Sequence, residues 1–178
     1  LDTVHHAKDG RELHLVFSAR TVRDASGRAI GTRGTAHDIT DRKKAETALR
    51  ESQRFLQTVI DGVAEPILVI GMDYRVTMMN QAARRLAGGA AEGAFCYEIS
   101  HRSQAPCSEA GEDCPLETVR AGGKPVSAMH EHVDERGRVR NIEILASPFL
   151  GPDGEFRGII ESSRDITERK KAEDERLK

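Results

Sequence analysis

The nine residues DITDRKKAE at positions 38–46 return almost unchanged as DITERKKAE at positions 165–173. The offset between the two stretches is 127 positions, and upstream of them the same offset aligns further residues without a gap. Residues 5–46 and 132–173 are therefore two copies of one structural element. This repeat organises the chain, because whatever fold one copy adopts is expected of the other.

Each copy is predicted to form two antiparallel strands followed by a helix. In the first copy, alternate residues of the stretch 13–19 are apolar, which is the period of a strand with one buried face. Turn residues at 24–27 and 151–154 separate this strand from the next one in each copy. The Asp-Ile-Thr sequence then begins a helix, because Asp and Thr side chains can accept hydrogen bonds from the free N–H groups of a first helical turn.

The helix after the first copy carries a stripe of small and apolar residues. These residues are Ala45, Leu49, Ser52, Leu56 and Val59. They are spaced alternately four and three positions apart, which is the a/d pattern of a coiled coil. We predict that residues 41–61 form a linker helix that pairs with the same helix of a second chain, so that the protein is a homodimer. The alternative is that the stripe packs on its own domain.

The region between the copies supplies elements that the first copy lacks. The predicted order is a strand at 66–70, a strand at 74–79, a helix at 80–88, an irregular stretch at 89–113, a helix at 114–121 and a strand at 126–133. Asn80 is the predicted cap of the first of these helices, and Gly88 its stop.

Composition excludes several classes of function. The chain has 178 residues with a net charge of −2, and its basic residues are mixed with acidic ones, so we expect no binding to nucleic acid. No stretch is apolar for long enough to insert into a membrane. Three cysteines do not form a secreted disulfide framework, which favours the cytoplasm. No phosphate-binding loop or nucleophile elbow is present, so we expect no enzymatic activity in this segment.

Four sequence features resemble the PAS/PAC family of sensory domains. They are Glu65-Pro66-Ile67 at the entry, Asn80-Gln81-Ala82-Ala83 after the second strand, Gly154 in the last turn and Asp165-Ile166-Thr167-Glu168-Arg169 at the exit. The resemblance implies an α+β fold, with a five-stranded antiparallel sheet and helices on one face around a small ligand pocket.

The resemblance also predicts the organisation of the chain. Residues 62–167 would be a PAS sensory domain, 1–40 the C-terminal strands of a truncated preceding PAS module, 41–61 the linker and 168–178 the start of an exit helix. Such modules are input regions of bacterial sensor histidine kinases and similar proteins. We therefore expect a sensory and signal-relay module that acts on an output domain of the same chain. The alternative is a structural dimerisation spacer with no bound ligand.

All three cysteines lie within one short stretch, together with a histidine. The pattern C-x4-H-x5-C-x6-C is formed by Cys96, His101, Cys107 and Cys114. Three thiols and one imidazole are a full tetrahedral set of ligands for zinc. An iron–sulfur cluster or a non-covalent haem is a further possibility. Glu112 and neighbouring acidic residues would raise the pKa of the thiols. The alternatives are a Cys107–Cys114 disulfide, or small buried residues without a function.

A second group of possible ligands lies on a predicted strand. His130 and His132 would share one face of it, which suits contact with a metal or an anion. Histidine pairs of this kind are more often solvent-facing, which is the preferred interpretation. His132 also aligns with His5 in the first copy, which argues against a unique role.

Overall fold

The computed structural model describes residues 2–89, 92–134 and 136–176. It divides into two compact units, Leu1–Leu56 and Gln57–Lys178. The division falls inside a single long helix, which contributes residues to both units. The four segments predicted from the sequence, 1–40, 41–61, 62–167 and 168–178, stay predictions.

The first unit contains one copy of the repeat. Its elements are β1 (Asp2–His6), β2 (Glu12–Arg23), β3 (Ala29–Asp38) and the first part of α1 (Thr40–Asp61). The three strands form an antiparallel sheet in the order β1-β2-β3. The predicted strand at 13–19 is present, but Phe17 remains 37% exposed.

The second unit contains a five-stranded antiparallel sheet with helices. Its elements are β4 (Ile67–Gly71), β5 (Val76–Met79), α2 (Gln81–Leu86), α3 (Cys96–Ser100), a 3₁₀ turn (Cys107–Ala110), α4 (Pro115–Gly122), β6 (Val126–Val133), β7 (Val139–Leu150), β8 (Phe156–Asp165) and α5 (Thr167–Arg176). The strand order is β5-β4-β8-β7-β6. This confirms the fold class that the sequence predicts.

The core of the second unit lies between the sheet and α4. Ile142, Ile144 and Ala146 alternate along β7 and are buried, with Ala146 fully inaccessible. Helix α4 packs against β6, β7 and β8, and its Val119 is also fully inaccessible. The alternating apolar residues of β2 are half-buried or exposed in the first unit, whereas their counterparts in β7 are buried, and burial of apolar area stabilises the fold.

Asn80 connects the end of α1 to the core. The side chain is fully buried, and its Oδ1 accepts the backbone N–H groups of Ile67 at 3.0 Å and Ala83 at 2.9 Å. Its Nδ2 donates to the carbonyl oxygen of Glu65 at 2.8 Å and to that of Val63 at 3.2 Å. The predicted helix cap is confirmed, and the residue also fixes the segment that precedes β4.

Glycine is required where β4 and β8 approach each other. Gly158 has φ +150°, and a Cβ there would lie 1.9 Å from the carbonyl oxygen of Ile70. No side chain can be accommodated at that distance, so the close pairing of these strands depends on this residue.

The stretch 89–113, predicted to be irregular, contains two short helical segments, α3 and the 3₁₀ turn. Helix α3 has a capping interaction, in which the Glu98 carboxylate accepts the backbone N–H of Phe95 at 3.1 Å. Arg102 adopts φ 52° immediately after it, which ends the helix. Among the described residues, no helix combines the length and the apolar character needed to cross a membrane.

Candidate functional site

Reactive side chains line a small buried cavity in the second unit. We call it the polar chamber. Its volume is about 20 Å³, room for roughly one water molecule or ion. The polar groups that line it are Cys96, Ser100, His101, Cys107, Cys114, His130, His132 and Glu161.

Five elements of the fold position these residues. Cys96 begins α3, and His101 is the residue at which that helix ends. Cys107 begins the 3₁₀ turn, and Cys114 caps the N-terminus of α4. All four residues predicted as metal ligands therefore line one cavity. Strand β6 adds His130 and His132, and β8 adds Glu161.

A hydrogen-bond network holds the 3₁₀ turn against α4. The Glu117 carboxylate accepts the hydroxyl of Tyr74 at 2.7 Å and that of Ser108 at 2.9 Å. These bonds lower the pKa of Glu117 and raise the pKa of Tyr74 to about 12. The network places Cys107 next to Cys114.

The three cysteines are free thiols, and two of them interact directly. A hydrogen bond from Cys107 lowers the pKa of Cys114 to about 7, and backbone N–H groups of residues 116 and 117 act in the same direction. The same contact raises the pKa of Cys107, together with burial. The expectation that acidic neighbours raise every thiol pKa is therefore wrong for Cys114, which lies at a helix N-terminus.

Burial dominates the electrostatics on the opposite side of the chamber. It raises the pKa of Cys96 to about 12, with a contribution from the charge of Glu161. It also raises the pKa of Glu161 to about 7, with a contribution from Cys114. Removing these groups from water disfavours their charged forms, so the chamber holds neutral groups that a cation could convert into ligands.

Three histidines converge at the chamber. His101, His130 and His132 each offer a ring nitrogen, and these nitrogens all lie within 4.8 Å of one another. The Nε2 atom of His101 is 3.4 Å from the Nδ1 atom of His130. Glu112 lies beside them, with its Oε2 atom 3.5 Å from Nδ1 of His101 and 3.7 Å from Nδ1 of His130.

The interpretation of His130 and His132 as solvent-facing is wrong. His130 is only 4% exposed, and its Nε2 lies 2.9 Å from the carbonyl oxygen of Asp113. Burial lowers the pKa of His132 to about 3, with the nearby rings of His101 and His130 acting in the same direction. A signal for this was present in the sequence, because both histidines have the same parity along β6 as Val126 and Ala128.

A larger cavity adjoins the polar chamber. We call it the outer cleft, and its volume is about 530 Å³, within the usual range for small-molecule sites. Apolar residues of β4, α2 and β7 lie on one side, including Leu68, Ala83 and Ile142. Ser100 and His132 line both cavities.

Charged residues line the rest of the outer cleft. They are Arg85, Asp134, Arg136, Arg138, Arg140 and Asp165. Asp134 pairs with Arg138 at 2.8 Å and with Arg140 at 3.3 Å. Four arginines against two aspartates leave an excess of positive charge, which favours a ligand with an anionic group.

The second unit is an α+β domain in which a five-stranded antiparallel sheet and helices line the two cavities. A family model described as PAS fold matches residues 60–171, and one described as PAS domain matches residues 1–41. The chain belongs to the PAS family. Both copies of the repeat thus overlap regions that match PAS models.

Two curated relatives are signalling proteins. The virulence sensor protein BvgS of Bordetella pertussis is 30% identical over 134 residues, which are 74% of this chain and 11% of that protein. The probable diguanylate cyclase DgcE of Escherichia coli is 25% identical over 171 residues, which are 92% of this chain and 15% of that protein. The chain therefore spans only a small part of the length of these relatives.

A solved structure supports the fold. The PAS domain of a protein from Colwellia psychrerythraea superimposes with a TM-score of 0.53 at 17% identity. The match covers 65% of this chain and 98% of that one. At this identity the likeness concerns the fold alone, and the function has to be argued from the site.

Proposed function

We propose that the chain is a sensory-input and relay module whose signal acts inside the second unit. The observation that carries the proposal is the arrangement of the two cavities, because the buried polar chamber and the roomy outer cleft share Ser100 and His132 as lining residues. An occupant of either cavity would contact α3 and β6 together.

The route from the site to an output domain runs through the sheet. Strand β6 pairs with β7 along its whole length, and α5 packs against β7. Helix α5 is held at its start, where the Thr167 hydroxyl accepts the N–H of Asn141 at 2.9 Å. An occupant that binds two conformations of β6 unequally would therefore shift the state of the exit helix.

The output domain belongs to the same chain in this proposal. Diguanylate cyclase activity fits the name of one matched relative, DgcE. A histidine kinase is the other output that the PAS resemblance implies. Pairing of two chains along α1 would make the protein a homodimer and would bring two such output domains together. We place this homodimer in the cytoplasm. The exposed stripe on α1 supports pairing, with Leu49 61% and Leu56 57% exposed.

One further point stays a prediction: zinc, an iron–sulfur cluster or haem is held by Cys96, His101, Cys107 and Cys114. The shared cavity supports it, since all four side chains line the polar chamber. Cys107→Ser tests this ligand set directly, because it removes one central thiol and keeps the size of the side chain.

The test of the function compares filled and emptied protein. The chain is purified without air or chelator, and its occupant is identified by native mass spectrometry, metal analysis and absorption. We expect a stoichiometric metal or small molecule. Its removal should speed amide hydrogen exchange in β6 and in α5, while exchange in β2 of the first unit should remain unchanged as an internal control.

The spacer alternative predicts a different outcome. A structural dimerisation module has neither occupant nor a response of α5 to added metals or anions. A protein that is empty as purified, and whose α5 exchange no added metal or anion alters, would contradict the sensory function.

A further inference from the structure

We propose that His101, His130 and His132 bind one divalent transition-metal ion, zinc foremost, in the polar chamber. This deepens the proposed function, on which it rests, by naming the class of occupant and its ligands. The ligand set differs from the one predicted around the cysteines and shares only His101 with it.

The distances between the nitrogens fit a single ion. Two nitrogens bound to one tetrahedral zinc at about 2.0–2.1 Å lie about 3.4 Å apart. Nε2 of His101 and Nδ1 of His130 are 3.4 Å apart, so these two rings already have the spacing of bound ligands. Among the residues that the structure describes, the three histidines are the group whose ligand atoms all approach within 4.8 Å of one another.

The hydrogen bond of His130 orients its free nitrogen toward the ion. A carbonyl oxygen can only accept, so Nε2 of His130 must donate its proton to the carbonyl of Asp113 at 2.9 Å. In the neutral ring, Nδ1 then carries the lone pair, and Nδ1 is the atom that faces His101. Donation of the second ring N–H to a backbone carbonyl is the usual support of a metal-binding histidine.

In its neutral form, His101 cannot satisfy both of its neighbours. Its Nδ1 faces the Glu112 carboxylate at 3.5 Å, and its Nε2 faces the lone pair of His130. A proton on Nδ1 leaves two lone pairs facing each other, and a proton on Nε2 leaves a lone pair facing the carboxylate. An ion between Nε2 of His101 and Nδ1 of His130 removes this conflict. The negative charge of Glu112 partly balances the positive charge of the ion.

His132 supplies the third nitrogen. Its Nε2 is buried and has no hydrogen-bond partner among the described residues. A buried nitrogen without a partner costs free energy unless an unobserved group satisfies it, so it needs an explanation. A metal ion provides one, and it agrees with the position of His132 on the wall shared by the chamber and the outer cleft.

The chemistry of the site selects the class of ion. Three imidazoles suit zinc, copper and nickel, whereas calcium and magnesium prefer oxygen ligands. Three protein ligands leave the fourth tetrahedral position open. Because His132 and Ser100 also line the outer cleft, a small anion in the cleft could occupy that position.

Cobalt(II) tests the assignment, because its spectrum distinguishes nitrogen from thiolate ligands. The reduced, metal-free 178-residue chain is titrated with Co²⁺, and zinc then displaces the cobalt. We expect one ion per chain and a spectrum without a thiolate-to-cobalt charge-transfer band. His132→Ala should weaken binding at least about tenfold, since loss of even an outer-shell partner has such an effect.

Matched variants control for folding and for nonspecific binding. His5→Ala is the counterpart of His132→Ala in the first copy of the repeat, and it should leave the affinity unchanged. Cys107→Ser is not a control but the variant that separates the two ligand sets, because it removes a ligand only from the cysteine set. His130→Ala is used only if circular dichroism shows that it folds, because His130 is buried; His132→Ala keeps the test decisive in either case.

The outcomes separate this site from the wider function. Unchanged affinity in His132→Ala, or a thiolate band that Cys107→Ser abolishes, overturns the three-histidine site. A chain that binds no metal but holds another molecule in the outer cleft overturns the site and leaves the sensory function intact. A chain that binds the ion at the histidines without any change in α5 supports the site and contradicts the sensory function.

Discussion

The hydroxyl oxygen of Thr167 accepts the backbone N–H of Asn141 at 2.9 Å, where β8 gives way to α5. The same bond occurs 127 positions earlier, where the Thr40 hydroxyl accepts the N–H of His14 at 2.9 Å. In both copies an aspartate, Asp38 or Asp165, accepts the threonine N–H at 2.9 Å. The repeated Asp-Ile-Thr sequence is therefore a joint that anchors an exiting helix to a neighbouring strand.

Thr167→Val should loosen this joint. The change keeps the shape of the side chain and leaves the N–H of Asn141 without its acceptor, at a position where Thr167 is only 5% exposed. Such a loss costs about 1–3 kcal/mol. We expect faster amide exchange throughout α5 and a lower urea midpoint for the second unit.

Thr40→Val is the matched control for that variant. It breaks the equivalent bond in the first unit, so it should speed exchange at the start of α1 and leave α5 unchanged. If Thr167→Val leaves exchange in α5 as it was, the hydroxyl does not anchor the exit helix.

Only the aspartate cap of the joint was predictable from sequence, since the threonine in each copy bonds to a strand residue 26 positions away. Asp38 accepts the N–H of a residue two positions away, and turns and caps of this kind have characteristic residues. The histidine site was not predictable in the same way. His101 meets His130 only because the end of α3 folds onto β6, and no local pattern specifies that approach.

Glu161 should make the stability of the second unit depend on pH. Its pKa is about 7 when folded, raised by burial from an ordinary 4.5. Below pH 4.5 both states are protonated, whereas between pH 4.5 and pH 7 only the unfolded chain releases the proton. Stability therefore falls as the pH rises through this window, at up to about 1.4 kcal/mol per pH unit, a total on the order of 3 kcal/mol.

Glu161→Gln should remove this dependence. We expect the variant to gain stability over the parent between pH 5 and pH 8, measured by urea denaturation of the metal-free chain. The comparison is a difference, so contributions from groups that do not interact with Glu161 are alike in both proteins and cancel. The exposed Glu175→Gln should show no gain, and an equal gain in that variant would contradict the role of burial.

The Cys107–Cys114 pair should be the first site of oxidation. The pKa of Cys114 is lowered to about 7, so it is partly thiolate at neutral pH, and Cys107 contacts it. With diamide, the Cys114 thiolate attacks the N=N bond and Cys107 then displaces the adduct, giving a disulfide and the reduced hydrazine. Thiol counting in denaturant should find one free thiol left, and peptide mapping should identify it as Cys96.

The third cysteine provides the control for that reaction. Burial raises the pKa of Cys96 to about 12, so Cys96→Ser should leave the disulfide yield unchanged. Cys107→Ser should abolish the intramolecular disulfide. A disulfide that includes Cys96 would show that contact between Cys107 and Cys114 does not control the reaction.

The apolar stripe on α1 should hold two chains together. Leu49 is 61% exposed and Leu56 is 57% exposed, and the a/d spacing of the stripe to which they belong suits the same face of a second copy. Replacing both with glutamate places like charges across the pair and removes apolar contact, so we expect a dimer to become a monomer in analytical ultracentrifugation. Gln53→Glu adds charge at an exposed position outside the stripe and should leave the dimer intact. A parent chain that stays monomeric at high concentration, or a double variant that still dimerises, would exclude pairing along this stripe.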